Sequence, residues 1–370
     1  MTMKQLRMPR PKIGIALGAG VARGWTHIGV LKTLKRAGIE ADIVSGTSIG
    51  ALVGGCLVAD KLEPLEDFAR SLTRRRMLGL LDFRFRSSGL IGDSKLAELM
   101  REQLADINIE DLKQIFVGVS TELTTGHELW LHKGNLIQAI RASYALPGVF
   151  PPVAVDGRWL IDGALVNPVP VSVARALGAR VVIAVNLNTD PFDPAARRRA
   201  HEAVYPGYIR SSPPRLPDDD LFHDIEEKIE EELNLQNAAE QEEDGAATEG
   251  AAELVKDAAE TTPAVADRIR QGLKNFSWKR NPESELMRRV VGGSQRGPGI
   301  ASVMLASLNI VQDRLARMRM AGDPPDIMIA PQVGHLSLLD FDRADELIRL
   351  GEEAAEEAIP RILETIEIMQ

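Results

Sequence analysis

Five residues, Gly46-Thr47-Ser48-Ile49-Gly50, constrain this chain more than any other stretch. They follow the β-prone run Asp42-Ile43-Val44-Ser45 and precede a small-residue, helix-compatible run, Ala51-Leu52-Val53-Gly54-Gly55-Cys56. A G-x-S-x-G turn between a strand and a helix is the context of a nucleophile elbow. The turn is so tight that its flanking residues must be nearly free of side chain, which accounts for Gly46 and Gly50. It lifts the serine hydroxyl onto the start of the next helix, where developing negative charge is favoured. Ser48 is therefore the candidate nucleophile.

A second strand-to-helix junction lies upstream. Ile13-Gly14-Ile15-Ala16-Leu17 reads as a strand, and Gly18-Ala19-Gly20-Val21-Ala22-Arg23-Gly24 as a small-residue loop. Trp25, Ile28, Leu31 and Leu34 then recur at helical spacing up to Gly38. Such a loop can cradle a pyrophosphate or aim backbone N–H groups at an oxyanion. A dinucleotide loop needs G-x-G-x-x-G, but Arg23 occupies the sixth position, and the acids of the second strand, Glu40 and Asp42, lie at its start instead of its end. The oxyanion reading is the better one, with Gly20, Val21 and Ala22 as N–H donors and Ile49 as a further one. Arg23 at a helix start fixes the loop by an ion pair or steers a phosphate.

Serine needs a base. In the common G-x-S-x-G hydrolases the order is Ser, acid, His. Asp162, in Arg158-Trp159-Leu160-Ile161-Asp162-Gly163-Ala164, follows an apolar run and precedes a glycine that makes room for a turn. Only His201, His223 and His335 come after it. The first two sit in polar or acidic sequence, and nothing around His335 marks a catalytic loop. This leaves a two-residue arrangement, with the Asp162 carboxylate as general base to Ser48 and His335 as the alternative base.

The pattern predicts strands over 13–17, 42–46, 115–122, 128–132, 158–162 and 180–187. Helices are expected over 22–37, 48–59, 94–105, 135–144 and 170–177. Thr124-Thr125-Gly126-His127 reads as a hairpin turn. A helix near 299–319, a strand at Pro325–Ile329 and a long helix from about 342 follow. Repeated strand–helix units predict an α/β fold with a mainly parallel central sheet covered on both faces.

Charge divides the chain. Residues 218–260 hold 17 Asp and Glu against 2 Lys, while the whole chain is −9, so the remainder is net positive by 6. The span 191–294 is thus expected to be an acidic, largely disordered insertion between a core, 12–190, and a return to the same sheet, 295–360. A helix is expected inside it at Leu221–Leu235. The greasy stretch Met77–Phe85, flanked by Arg74-Arg75-Arg76 and Arg86, suits a lipid interface, an oligomer contact or ordinary core. A single cysteine, Cys56, excludes an internal disulfide, suits a reducing compartment and reads as a packing residue. No signal-type or membrane-spanning apolar run is found, which predicts a cytoplasmic protein. A peripheral contact with the inner membrane face fits the basic remainder. No metal-ligand spacing or nucleic-acid motif is present, and no cofactor is expected.

The chain resembles the bacterial patatin-like phospholipases, the RssA type in particular. The resemblance is carried by Leu17–Leu31, Gly46–Gly50, Ile140–Gly148, Trp159–Pro170 and Met320–Ile329. It implies a patatin-like three-layer sandwich, a Ser48–Asp162 dyad and an oxyanion hole on the Gly20 loop, with Arg23, Gly24, Gly46, Gly50 and Gly163 supporting the motifs. Arg141 and Ser143, in the third block, read as shaping residues. Aligned on Arg23-Gly24, the family's run of three glycines falls near Ala19, Gly20 and Val21, so a Cβ at Val21 narrows the space beside the oxyanion. The expected activity is lipid acyl-ester hydrolysis through an acyl-Ser48 intermediate. A thioesterase for acyl-CoA or acyl-protein on the same dyad, or an interaction protein using the acidic insertion, are the alternatives. The expected partner is a lipid or other acyl ester, and a homo-oligomer is compatible with the sequence.

Overall fold

The computed structural model describes residues 10–73, 100–102, 104, 107–188 and 300–370. The acidic insertion at 191–294, its helix at Leu221–Leu235, the stretch Met77–Phe85 and most of the helix expected over 94–105 lie outside the described residues.

The fold is an α/β sandwich around a mixed sheet. Its strands are β1 (Ile13–Leu17), β2 (Ile43–Thr47), β3 (Ile115–Glu122), β4 (Glu128–Leu131), β5 (Val153–Val155), β6 (Arg158–Asp162), β7 (Val181–Val185) and β8 (Ile327–Ile329). The pairs β3–β2, β2–β1, β1–β7 and β7–β8 are parallel. The pairs β3–β4, β3–β6 and β5–β6 are antiparallel. The sheet is therefore parallel through its centre and antiparallel beyond β3. β8 comes from the C-terminal segment and lies beside β7 in this same sheet.

The helices are α1 (Thr26–Arg36), α2 (Ile49–Val58), α3 (Leu62–Ser71), α4 (Leu136–Tyr144), α5 (Val171–Ala176), α6 (Ile300–Gly322) and α7 (Ala344–Ile368). Side-chain alternation along the strands sorts them into two layers. Ile13, Ile15 and Leu17 of β1 join Ile183 and Val185 of β7 in one cluster with Ile28, Leu31, Leu52, Leu65, Ile140 and Leu347. That face carries α1, α2, α3, α4 and α7. Ala16, Val182 and Ala184 face the other way, with Val171 and Ala174 of α5 and Ala316 of α6. Each Ile or Leu buried this way stabilises the fold by about 1.5–3 kcal/mol.

Three details differ from the sequence pattern. The helix expected over 22–37 is split into a 3-10 turn, Val21–Trp25, and α1. The cause is crowding. Gly24 is pressed against the Ile49 side chain, and Val21 takes a positive φ of 50°, so the loop closes into a tighter spiral before α1 begins. The amphipathic α3 and the three-residue β5 were not expected.

The register explains how distant residues meet. Gly118 of β3 pairs with Gly46 of β2 and with Leu131 of β4, so β2 and β4 occupy opposite edges of β3. Ser120 pairs with Leu129 of β4 and with Asp162 of β6, so β6 shares an edge with β2. β2 pairs as far as Thr47↔Val119, and β6 takes over at Asp162↔Ser120. The two strands meet end to end along one neighbour, and Ser48 and Asp162 sit at the junction.

Candidate active site

Ser48 leaves β2 with φ 58° and ψ −126°, a conformation that costs a residue with a Cβ about 1–3 kcal/mol and persists only where the surroundings hold it. Two glycines permit it. A Cβ at Gly46 would lie 2.5 Å from the Gly50 carbonyl oxygen, and a Cβ at Gly50 would strike the Leu17 and Gly18 carbonyls. The Ser48 N–H donates to Ser143 Oγ at 2.9 Å. The Ser48 hydroxyl donates to Asp162 Oδ2 at 2.6 Å.

Asp162 closes β6 and caps the short 3-10 turn Gly163–Leu165, where its Oδ1 accepts the Ala164 N–H at 2.8 Å. The main chain of Asp162 is fixed on both sides. Its N–H donates to the Ala145 carbonyl, and its carbonyl accepts Thr121 Oγ1, each at 2.9 Å. Gly163 has no room for a side chain, because a Cβ there would enter the Val119 carbonyl. The carboxyl is 1% exposed. Burial pushes its pKa up to about 7, against the pull of the hydrogen bonds from Ser48 and Ala164. A carboxylate that takes protons near neutrality, in contact with a serine hydroxyl, has the properties of a general base.

The Gly18–Gly24 loop lies beside the elbow, since Gly24 abuts Ile49 and Gly50 abuts Gly18. The Gly18 N–H donates to Val185 and that of Ala19 to Pro168. Arg23 donates through Nε and Nη2 to the Leu336 carbonyl, at 3.0 and 2.6 Å. The Ala22 N–H donates to the Leu338 carbonyl at 2.9 Å, which corrects its expected role: that donor is already committed. Among the described residues no backbone acceptor takes the N–H groups of Gly20, Val21 or Ile49.

His27 was not expected at the site. It is fully buried, and its Nε2–H donates to the Gly18 carbonyl at 2.8 Å. Burial lowers its pKa to about 4, so it is a neutral clasp on the loop near pH 7. The signal was present, for His27 precedes the buried Leu31 and Leu34 by one and two helical turns. His335 is exposed and pairs with Glu346 at 3.1 Å, on the surface. Burial pushes the Cys56 thiol up to about 12, so it is an inert packing group.

Comparison with known proteins decides the family. A family model described as patatin-like phospholipase matches residues 15–175. An uncharacterized NTE family protein of Mycobacterium tuberculosis is 32% identical over 358 residues, 94% of this chain and 91% of that protein. The chain belongs to the NTE family. It also matches patatin-like phospholipase domain-containing protein 6 of Homo sapiens, at 34% identity over 185 residues, 48% of this chain and 13% of the human protein. The neuropathy target esterase sws of Drosophila melanogaster is 32% identical over 184 residues, again 48% of this chain and 13% of the fly protein. Membership of the NTE family places the chain among lipid hydrolases. No helix among the described residues is long and apolar enough to cross a membrane.

Proposed function

We propose that this NTE family member, of RssA type, is a serine acyl-ester hydrolase acting on lipids through a Ser48–Asp162 dyad. The observation that carries the reading is the 2.6 Å hydrogen bond from Ser48 Oγ to Asp162 Oδ2 at the end of a strained elbow. Asp162 takes the hydroxyl proton as Ser48 Oγ attacks the ester carbonyl. The carbonyl oxygen becomes an oxyanion, held by the N–H groups of Gly20 and Val21 and by Ile49 at the start of α2. The proton on Asp162 passes to the departing alcohol. Water then gives a proton to Asp162 and attacks the acyl-Ser48 carbonyl, the fatty acid leaves, and the proton returns to Ser48 Oγ. The catalytic unit comprises 12–190 and 295–360, interrupted by 191–294. It works peripherally, at the cytoplasmic face of a membrane, on an ester presented by the lipid surface.

Ser48→Ala tests the reading. The variant is expected to fold, to lose hydrolysis of a panel of acyl esters and thioesters by at least about a thousandfold, and to take no fluorophosphonate label. Label that persists on another serine overturns the assignment. The same panel run on the wild type separates ester from thioester preference.

A further inference from the structure

We infer that Ser143 is a positioning residue for the nucleophile: its hydroxyl oxygen holds the Ser48 main chain so that Oγ reaches Asp162. The inference rests on the Ser48–Asp162 reading and assigns Ser143 no contact with substrate. Ser143 lies in the last turn of α4 and is fully buried. Its oxygen accepts the Ser48 N–H at 2.9 Å, and its proton goes to the Val119 carbonyl at 2.5 Å. The direction is forced, because an N–H can only donate and a carbonyl can only accept. Its single proton is thus committed to Val119 and is not available for chemistry.

The place of these bonds is as telling as their length. Val119 is the last β3 residue paired with β2, and Ser120 is the residue opposite Asp162. Ser143 therefore bridges the point where one strand hands over to the other. The residues around it grip the base side as well. The Ser120 hydroxyl is shared between the Ile161 carbonyl at 2.8 Å and the Ala142 carbonyl at 3.0 Å, and the Ala145 carbonyl accepts the Asp162 N–H at 2.9 Å. One end of one helix holds both members of the dyad. Ser143 also removes the Ser48 N–H from the set of oxyanion donors, leaving that of Ile49 as the one next to the nucleophile.

Without the Ser143 hydroxyl, the Ser48 N–H is buried without an acceptor and the elbow loses one of its restraints. Oγ then drifts from Asp162 Oδ2. The Ser48 hydrogen bond is one of the two that lower the Asp162 pKa, so its loss raises that pKa further. A purely structural residue would not move the pH profile.

The experiment compares Ser143→Ala, Ser143→Thr and Ser143→Val in the full chain with 4-nitrophenyl butyrate. Thr and Val share a shape and differ in the hydroxyl, so any crowding from the extra methyl cancels between them. Ser143→Ala is expected to lower kcat by about tenfold to a hundredfold with KM within about threefold, and to raise the pH midpoint of kcat by about half a unit or more. Ser143→Thr should exceed Ser143→Val in kcat by about tenfold. An unchanged kcat and midpoint in Ser143→Ala overturns the inference, as does equality of Thr and Val. A variant that does not fold also counts against it, because it assigns Ser143 to the scaffold. Ser48→Ala and Asp162→Asn run alongside: if they stay active the dyad reading has failed, and if they collapse while Ser143 variants do not respond only this inference has failed.

Discussion

The parallel and antiparallel parts of the sheet supply the two candidate groups by opposite means. On the parallel side, β1, β2 and β7 are buried along their whole length, and β2 delivers a backbone conformation. Ser48 is where it is because glycines and neighbouring carbonyls leave the chain no other course. On the antiparallel side β6 lies between β3 and the end strand β5 and is open to solvent at its start, with Trp159 at 55% exposure. What it delivers is an environment: ordinary main-chain geometry carries a carboxyl into a dry site and changes its acidity. Placement of the proposed nucleophile is thus a matter of steric exclusion, and the strength of the proposed base a matter of solvation. The two meet on consecutive residues of β3.

The contrast can be broken most directly at Asp162. Asp162→Asn keeps the shape and removes the base, so kcat should fall by at least about a hundredfold. In the wild type the base works only when deprotonated, so kcat should rise as pH climbs through about 7 and level off above it. A pH–rate profile flat between about pH 5.5 and 8.5 would show that solvation of Asp162 does not set the rate. A second comparison sets the two sides against each other in stability. Gly50→Ala forces a methyl against the Leu17 and Gly18 carbonyls and should cost about 1–3 kcal/mol in urea denaturation. Trp159→Ala at the exposed start of β6 should cost about 0.5 kcal/mol. Equal costs would erase the distinction.

The smallest effect sharpens the solvation side. Asp162 takes its proton at about 7 in the folded chain and near 3.8 in the unfolded one. Between those values the folded state binds more protons, so this group's contribution to stability falls as pH rises through that window and is fully lost above 7. Asp162→Asn removes the penalty. Its Tm should exceed that of the wild type by a few degrees at pH 8, and the gain should vanish by about pH 4. A wild type that melts higher at pH 8 would mean that the buried carboxylate is stabilised by the fold.

The same division governs what the sequence could reveal. The elbow was legible because its cause is local: the glycines stand within two residues of Ser48. β1, β2 and β7 were legible as short apolar runs between breakers. α3 was not read from the sequence, although Leu62, Leu65 and Ala69 keep helical spacing and are buried. Asp162 could be named as a base, but its meeting with Ser48 depends on two strands sharing one edge of β3, and pairing register leaves no mark in composition. The Ala22 N–H is withdrawn by a carbonyl from the far end of the chain, Leu338, which no local pattern announces. His27 shares a helix face with Leu31 and Leu34, the one mark in the sequence of its burial.

The clasp between Arg23 and the Leu336 carbonyl has a consequence in time. The two residues are 313 positions apart. At about 5–20 residues per second, a ribosome finishes Leu336 roughly 16 s to a minute after Arg23. Throughout that interval the emerging chain acquires its elbow and then Asp162, yet the carbonyls that fix Ala22 and Arg23 do not exist. A nascent chain therefore cannot complete the frame of the Gly18–Gly24 loop until Leu336 and Leu338 have been made.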